Sequence, residues 1–362
     1  MNEVKVIICC DTEPDQPFYG GLDYKIHFGS HKWRGIEEGI PEMKEISNSV
    51  EDSEGHNAKI TWFLRSDDQM KILYDDPAWI VRNFRSLWKE LESGGDEIGW
   101  HPHLWRWNER IESWYPELED KGWIENCLEE GYKSFSGEFR LMSSRMCWNF
   151  HNNITMNKLN ELGLTVDISA MPGQKFIKYV YESAYFPYYD WVGSPEHPYF
   201  PSHLDYRREA NNQEPSLNIL EIPLTNFKIS LSWRIKRNLN KLFKPKGGYP
   251  LGKRNPLKIT SNPDLFKLSA KEKFFESKQR NCSPFLVSYF HADEVLPGIK
   301  DSNLTNVKNN FENILEASEK YGVPFRFITA KEGALEFLNE REEVYHGSGK
   351  NGKMEKSRNF PK

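Results

Sequence analysis

The sequence predicts an α/β protein built around a parallel β-sheet. Short apolar segments rich in β-branched residues alternate with longer segments whose apolar residues recur at helical spacing. Polar residues that suit catalysis or metal binding follow several of the predicted strands. A chain of 362 residues is long enough for one large α/β barrel or for two ordinary domains. The alternation leaves open whether the sheet is open or closed into a barrel.

The predicted strands are short and mostly apolar, as expected for strands that are buried on both faces. The first, residues 4–10 (VKVIICC), ends where Asp11-Thr12-Glu13-Pro14 introduces charge and a proline. The segment Glu97–Trp100 runs directly into His101. In chain order the predicted strands are residues 4–10, 58–64, 97–100, 164–168, 218–222, 284–290 and 323–328.

Helical segments lie between these strands. One begins at Asp76-Pro77 and stops at Gly94-Gly95, and another ends at Gly322, because glycine favours the end of a helix. The predicted helices are residues 40–50, the segment from 76 to 94, and residues 123–135, 154–162, 304–321 and 331–338.

Two stretches interrupt the alternation. Residues 172–213 are rich in Tyr, Pro, Phe and His and predict a long ordered loop system. Residues 227–280 are basic and predict helices around a flexible excursion. We expect a single catalytic domain over residues 1–338 with these two insertions, followed by a polar, disordered tail over residues 339–362.

Composition and charge narrow the functional classes. The net charge of −5 does not favour binding to nucleic acid or to an anionic membrane. The basic stretch over residues 228–254 is interpreted as a solvated helix and loop, with contact to a diphosphate or a membrane surface as the less favoured alternative. No signal peptide is recognised at the N-terminus, and the five cysteines are scattered, so we expect a cytoplasmic protein. The 12 tryptophans serve either core packing or flat platforms for sugars.

Polar side chains follow four of the predicted strands. The carboxyl ends of parallel strands form the active-site face of such folds. A carboxylate with two imidazoles suits catalytic zinc, which leaves a position for water, and also resembles the triad that holds iron. A second carboxylate beside the metal can act as a base. The residues are Asp11, Glu13, His101, His103, Asp167, His291 and Asp293.

Each of these features also has a purely structural explanation. Asp11 and Glu13 could cap a turn, and Asp167 could do the same. An isolated His-x-His pair such as His101-Pro102-His103 is often an accident of the surface. His291 alone would more often be a hydrogen-bonded core or rim residue.

Together the motifs resemble those of the polysaccharide deacetylase family (carbohydrate esterase family 4, NodB-like), over most of residues 4–338. ICCDTEPD stands where the family has a strand that ends in paired acids. EIGWHPHLW stands where the family has one His and a second His four residues later, a position that is Trp105 here. SSRMCWNFHNNITMNKLNELG resembles the motif with an Arg before a helix, and LVSYFHADEV resembles the motif with a His after an apolar strand.

The resemblance implies a distorted, seven-stranded (β/α) barrel and a divalent metal, with zinc expected. It implies that Asp11 is the catalytic base, that His291 is the general acid with Asp293 as its partner, and that Arg145 orients Asp11, with Arg140 as the competing choice. Glu13 and His101 match the family's metal ligands, and we move the second histidine's role to His103. The expected substrate-binding residues are Asp167, Trp191, Trp105 and Asp293.

The implied activity is removal of an N-acetyl group from a sugar or polysaccharide precursor. The DTE and HPH variants resemble a divergent branch associated with surface-polysaccharide or O-antigen biosynthesis. The expected partner is therefore an acetylated sugar or a sugar-linked small molecule. Two alternatives stay open: a hydrolase of another amide or imide bond on the same fold, and a non-catalytic carbohydrate-binding protein. The second is kept because Trp105 replaces the family histidine.

Overall fold

The fold is a barrel of parallel strands covered by helices, seen in a computed structural model that describes residues 2–15, 31–110, 112–176, 189–211, 213–228, 254–298 and 303–347. The strands are β1 (Val4–Thr12), β2 (Thr61–Leu64), β3 (Glu97–Trp100), β4 (Trp105–Asn108), β5 (Ser113–Pro116), β6 (Ser143–Ser144), β7 (Val166–Asp167), β8 (Lys175–Phe176), β9 (Tyr189–Asp190), β10 (Leu220–Glu221), β11 (Asn226–Lys228), β12 (Arg254–Pro256), β13 (Phe285–His291) and β14 (Phe325–Phe327). The helices are α1 (Ile40–Ser47), α2 (Asp68–Tyr74), α3 (Trp79–Asn83), α4 (Arg85–Ser93), α5 (Lys121–Ser136), α6 (Asn153–Glu161), α7 (Pro263–Arg280), α8 (Leu304–Tyr321) and α9 (Ala330–Gly347).

One parallel sheet contains eight of the described strands. Its path runs β10–β7–β6–β3–β2–β1–β13. The eighth strand, β14, pairs with the first residues of β1, and β2 pairs with the last residues of β1 on the same side of that strand. The path of seven parallel strands flanked by helices confirms the predicted fold class. β1 is the next-to-last strand of this path, between β2 and β13, and all nine of its residues are buried.

Irregular backbone joins the two ends of this path. The N–H of Thr225, just after β10, donates to the carbonyl of Val287 in β13 at 3.1 Å. The N–H of Val287 donates in turn to the Thr225 hydroxyl at 2.9 Å. Beside this contact, Tyr289 exchanges backbone hydrogen bonds with residues 257 and 259 at 3.2 and 3.1 Å. Loop backbone therefore replaces regular strand pairing on this side, which gives the barrel its distorted form.

The structure corrects the predicted helix over residues 76–94. It consists of two short helices, α3 and α4, because the backbone of Phe84 leaves the helical region at φ −109° and ψ 25°. The break lets the Phe84 ring meet Trp79 and Trp88 edge to face, at centroid distances of 6.0 and 6.3 Å. Aromatic packing here outweighs the continuous helical periodicity of the sequence.

The boundaries of the predicted domain and its insertions fall partly outside the described residues. Helix α9 continues to Gly347, so the domain end predicted at residue 338 lies within a helix, while residues 348–362 lie outside the described part. The first insertion contains the hairpin of β8 and β9, and the second contains the hairpin of β11 and β12 followed by α7. Residues 177–188 lie outside the described part of the chain. So do residues 229–253, which contain most of the basic stretch.

Candidate metal centre

The ends of β1, β3, β6 and β13 bring the predicted polar residues to one edge of the barrel. Asp11 pairs in register with His291, and Trp100 pairs with Ser144. His101 and Arg145 therefore follow adjacent strands at the same level. This placement agrees with the expectation that the carboxyl ends of the strands form the site.

Glu13, His101 and His103 form a compact, buried group of potential metal ligands. Glu13 Oε1 lies 3.2 Å from His101 Nε2 and 3.1 Å from His103 Nε2, and the three ligand atoms lie within 4.8 Å of one another. His101 Nδ1 lies 2.5 Å from the backbone carbonyl oxygen of Arg145. Because a carbonyl can only accept, Nδ1 carries the proton and Nε2 is left with the lone pair that a metal requires. The donor set therefore fits a divalent metal.

His103, and not residue 105, stands beside His101 in the structure. The two imidazole rings are 4.7 Å apart and meet at 80°. Trp105 is fully buried and packs edge to face on Trp148 at 4.4 Å. The carbonyl of Pro102, between the histidines, accepts the N–H of Cys147 at 3.2 Å, which anchors the His-Pro-His segment.

Arg145 is buried against Asp11. Its Nε lies 2.7 Å from Asp11 Oδ1 and 3.0 Å from Oδ2, and its Nη1 donates to the carbonyl of Ile168 at 2.7 Å. Burial alone would raise the pKa of Asp11, but the charges of Arg145, His101 and His291 outweigh it and lower that pKa. The competing choice, Arg140, is exposed, whereas Asp11 is buried. Asp11 is therefore held as a carboxylate.

His291 faces Asp11 from β13. Its Nε2 lies 3.9 Å from Asp11 Oδ2, and its Nδ1 lies 3.4 Å from Glu294 Oε1. The expected partner was Asp293, but the 3-10 turn after β13 brings the side chain three residues on, not two, back toward the imidazole. Lys258 joins this pair, with its Nζ 3.3 Å from His291 Nδ1 and in contact with Glu294. Burial and Lys258 would lower the pKa of His291, but Glu294 and Glu13 outweigh them and raise it.

Two glycines fix the turn that carries Glu294. A Cβ at Gly35 would lie 2.6 Å from the backbone N of Asp293, and a Cβ at Gly39 would lie 2.6 Å from the carbonyl oxygen of Ala292. Backbone atoms cannot yield cheaply at such distances, so the helical segment before α1 can approach the turn only with glycine at both positions. Asp293 itself is half-buried, and its backbone supports the turn.

Three of the expected substrate-binding residues lie in the interior. Asp167, Trp191 and Trp105 are each 0% exposed. Trp191 Nε1 donates to the carbonyl of Asn149 at 2.7 Å, and the Asp167 carboxylate accepts the Ser144 hydroxyl at 2.7 Å. Contact with a substrate would require these packed groups to move, so the structure favours interior roles for them.

Some residues at the site were missed by sequence reasoning. Trp148 is partly exposed, lies 6.1 Å from the His103 ring, and has a left-handed backbone at φ 48°, which is unusual for a bulky side chain. No sequence pattern marks it. Glu294, by contrast, could have been found, because residues three apart share a face in a helical turn. Lys258 could not, because it comes from a distant, irregular segment.

Comparisons with known proteins agree on the fold. No family model and no curated protein matches the chain. Among solved structures, it is similar to a protein from Parabacteroides distasonis described as a glycoside hydrolase/deacetylase, at 13% identity and a TM-score of 0.54, over 93% of this chain and 72% of the other. It is also similar to a protein from Mycobacterium smegmatis described as a polysaccharide deacetylase, at 14% identity and a TM-score of 0.51, over 98% and 95%.

The chain therefore has the fold of the polysaccharide deacetylases, and the predicted resemblance is confirmed at that level. At these identities the likeness concerns the fold, and the roles of individual residues depend on the site geometry itself. Among the described residues, no helix is both long and apolar enough to cross a membrane.

Proposed function

We propose that this protein is a metal-dependent deacetylase that removes an N-acetyl group from a sugar or polysaccharide precursor. The observation that carries the proposal is the convergence of three parts on one barrel edge. These are the ligand group Glu13–His101–His103, the carboxylate of Asp11 held by Arg145, and the imidazole of His291. Metal-assisted hydrolysis of an amide uses all three: a metal site, a base and an acid.

Glu13, His101 and His103 would hold the metal. One carboxylate and two imidazoles are a common protein ligand set for catalytic zinc, which makes zinc the expected ion. A divalent metal bound there would lower the pKa of a water molecule and polarise the acetyl carbonyl. The backbone carbonyl of Arg145 holds His101 in the tautomer that such a site uses.

Asp11 would take the proton from the attacking water. The Arg145 guanidinium keeps its carboxylate ionised, and the same contact fixes the orientation of its oxygens. The guanidinium is held in turn by its contacts with both oxygens of Asp11 and by its hydrogen bond to the carbonyl of Ile168. Asp11 is thus a base that is charged and positioned before substrate arrives.

His291 would donate the proton that the leaving amine requires. Its raised pKa keeps the imidazole charged nearer neutral pH, and its Nε2 faces the same carboxylate that accepts the proton of water. As the carbon–nitrogen bond breaks, the nitrogen takes the proton from His291 and leaves as an amine, and acetate retains the oxygen of water. Asp11 and His291 therefore complete one proton transfer each per turnover.

We further infer that the substrate is a soluble acetylated sugar, such as a nucleotide-linked or lipid-linked precursor used in the cytoplasm for a surface polysaccharide. The support is the DTE and HPH motif variants, in which His103 takes the role that the family gives to a histidine two residues later, where this chain has Trp105. A direct comparison of UDP-N-acetylglucosamine with N-acetylated chitin oligosaccharides tests this choice, because the proposal expects the nucleotide sugar to react faster.

Acetate release from these two probes, with and without a chelator, tests the reaction itself. We expect activity that is lost on chelation and restored by zinc. Asp11→Asn should lower kcat by roughly 10²–10⁴-fold while the metal content stays unchanged. Glu125→Gln, whose side chain on α5 is 36% exposed, is the control and should be fully active.

Other outcomes would support the alternatives. Hydrolysis of a ureide or imide without acetate release from either sugar would indicate a different carbon–nitrogen hydrolase. Sugar binding without metal and without turnover would indicate a carbohydrate-binding protein. Wild-type deacetylation by Asp11→Asn with the metal in place would refute the assignment of the base.

A further inference from the structure

A second group of potential metal ligands lies in the barrel wall, apart from the proposed active site. His151, Asp167 and Glu221 each have 0% exposure, and their ligand atoms lie within 4.8 Å of one another. His151 Nε2 is 3.1 Å from Asp167 Oδ2. The three residues come from different elements: Asp167 from β7, Glu221 from the neighbouring β10, and His151 from the loop before α6.

The imidazole of His151 is held in the orientation of a metal ligand. Its Nδ1 lies 2.9 Å from the hydroxyl of Thr155. That hydroxyl donates its single proton to the carbonyl of Asn152 at 3.0 Å and accepts the N–H of the same residue at 3.1 Å. Nδ1 is therefore the donor to Thr155, and the nitrogen that would offer a lone pair to a metal is Nε2, which points at Asp167.

In each of the two carboxylates, of Asp167 and Glu221, one oxygen is hydrogen-bonded to a donor outside the ligand group. Glu221 Oε1 accepts the backbone N–H groups of Ser169 and Ala170 at 3.2 and 2.8 Å. Its other oxygen, Oε2, is buried and meets no N–H or O–H donor among the described residues. One oxygen of Asp167 accepts the Ser144 hydroxyl, which leaves the other for His151. Buried oxygens are rarely left without a donor, so the oxygen of Glu221 needs a partner.

We propose that His151 Nε2, Asp167 and Glu221 form a second, structural metal site for a divalent ion of the zinc class. A divalent cation with two carboxylates and a neutral imidazole is electrically neutral, which a site without solvent contact requires. The ion would tie β7 to β10 and both strands to the loop before α6. The carbonyl of Ile168, next to Asp167, accepts a hydrogen bond from Arg145 Nη1 at 2.7 Å. The ion would therefore also stabilise the position of Arg145, which holds Asp11.

The competing explanation is a cluster that shares a proton in place of an ion. Burial and the neighbouring Asp167 raise the pKa of Glu221 well above its usual range, so Glu221 could remain a neutral acid that donates to Asp167. Both explanations satisfy the buried oxygen, and they differ in one measurable quantity, the metal content of the protein. The decisive variant is one that removes the proposed active-site ligands and leaves the second group intact.

Metal content is measured on purified protein that was folded in the presence of zinc. We expect about two equivalents per chain in the wild type and about one in the Glu13→Gln/His101→Gln double variant. Adding His151→Gln to that double variant should remove the remaining equivalent. The control substitution is His56→Gln, whose side chain is 64% exposed, and it should change nothing. Chelation should strip the active-site ion fast and the buried ion slowly.

A double variant that contains no zinc would overturn the proposal and favour the shared proton. This outcome does not depend on the folding of any His151 variant, because the second group is unaltered in it. Failure of the proposed active site gives a different pattern: one equivalent in the wild type that persists in the double variant. One equivalent in the wild type that is lost in the double variant would support the active site and eliminate the second one.

Discussion

Replacing Glu294 by glutamine should lower the pKa of His291, and replacing Lys258 by glutamine should raise it. Glu294 Oε1 and Lys258 Nζ lie 3.4 and 3.3 Å from the same imidazole nitrogen, so they act on the His291 charge with opposite signs. An anion stabilises the imidazolium and a cation destabilises it. Removing the anion therefore favours the neutral ring, and removing the cation favours the charged one.

The size of both shifts follows from the distances and the exposure. Two unit charges at this separation interact by about 5 kcal/mol at an effective dielectric constant of about 20, which corresponds to roughly three to four pH units. His291, Glu294 and Lys258 are 24%, 22% and 27% exposed, so solvent screens part of this interaction. We therefore expect shifts of roughly one to two pH units, downward for Glu294→Gln and upward for Lys258→Gln.

NMR titration of the His291 Cε1–H resonance measures these shifts without a substrate, and the His291→Gln variant assigns the signal. In the enzyme assay, the alkaline limb of kcat should move with the same sign, because a deprotonated His291 cannot protonate the amine. Asp293→Asn is the control of equal charge, and it should leave the limb in place. Shifts in the same direction for Glu294→Gln and Lys258→Gln would refute the reasoning.

Three further predictions concern the ligands, the buried ion pair and the barrel wall. His103→Ala should lose the active-site metal on dialysis, whereas Trp105→Phe should retain it, as measured by metal analysis; equal retention would remove His103 from the ligand set. Arg145→Lys keeps the positive charge but loses the geometry that holds the buried carboxylate, so kcat should fall at least tenfold, and a loss of up to roughly 3–5 kcal/mol in unfolding free energy is expected in urea. Gly99→Ala places a Cβ 2.5 Å from a buried side-chain atom and should cost roughly 1–3 kcal/mol, whereas Gly137→Ala, whose nearest neighbour is 4.0 Å away, should change stability little. Equal midpoints for these two glycine variants would contradict the packing described for β3.

Sequence reasoning worked where a local pattern determines the structure. The segment Glu97–Trp100 was predicted with its observed bounds, because a buried strand that runs into His101 has few alternatives. It missed β6, whose two serines have no apolar pattern and are placed only by the strands on either side. The positions of the strand ends in the sequence predicted which side chains converge, because the carboxyl ends of parallel strands lie at one edge of the sheet.

Tertiary packing decided the rest. Trp105 and Trp191 were both expected to bind substrate, but a sequence cannot distinguish a sugar platform from a core residue. Both are fully buried, whereas Trp148, which lies in the motif of Arg145 but was assigned no role there, is partly exposed beside His103. The partner of His291 is determined by the 3-10 turn after β13, which brings Glu294, and not Asp293, to the imidazole.

Arg145 connects the metal ligands to the base through two different parts of one residue. Its backbone carbonyl sets the tautomer of His101, and its side chain holds Asp11. The carbonyl is set by the pairing of β6 with β3 and is present whatever side chain stands at residue 145. Side-chain variants at this position should therefore separate the two functions, weakening the base while His101 keeps the orientation for metal binding. A loss of metal in Arg145→Lys would mean that the guanidinium, and not the strand pairing, organises the ligand group.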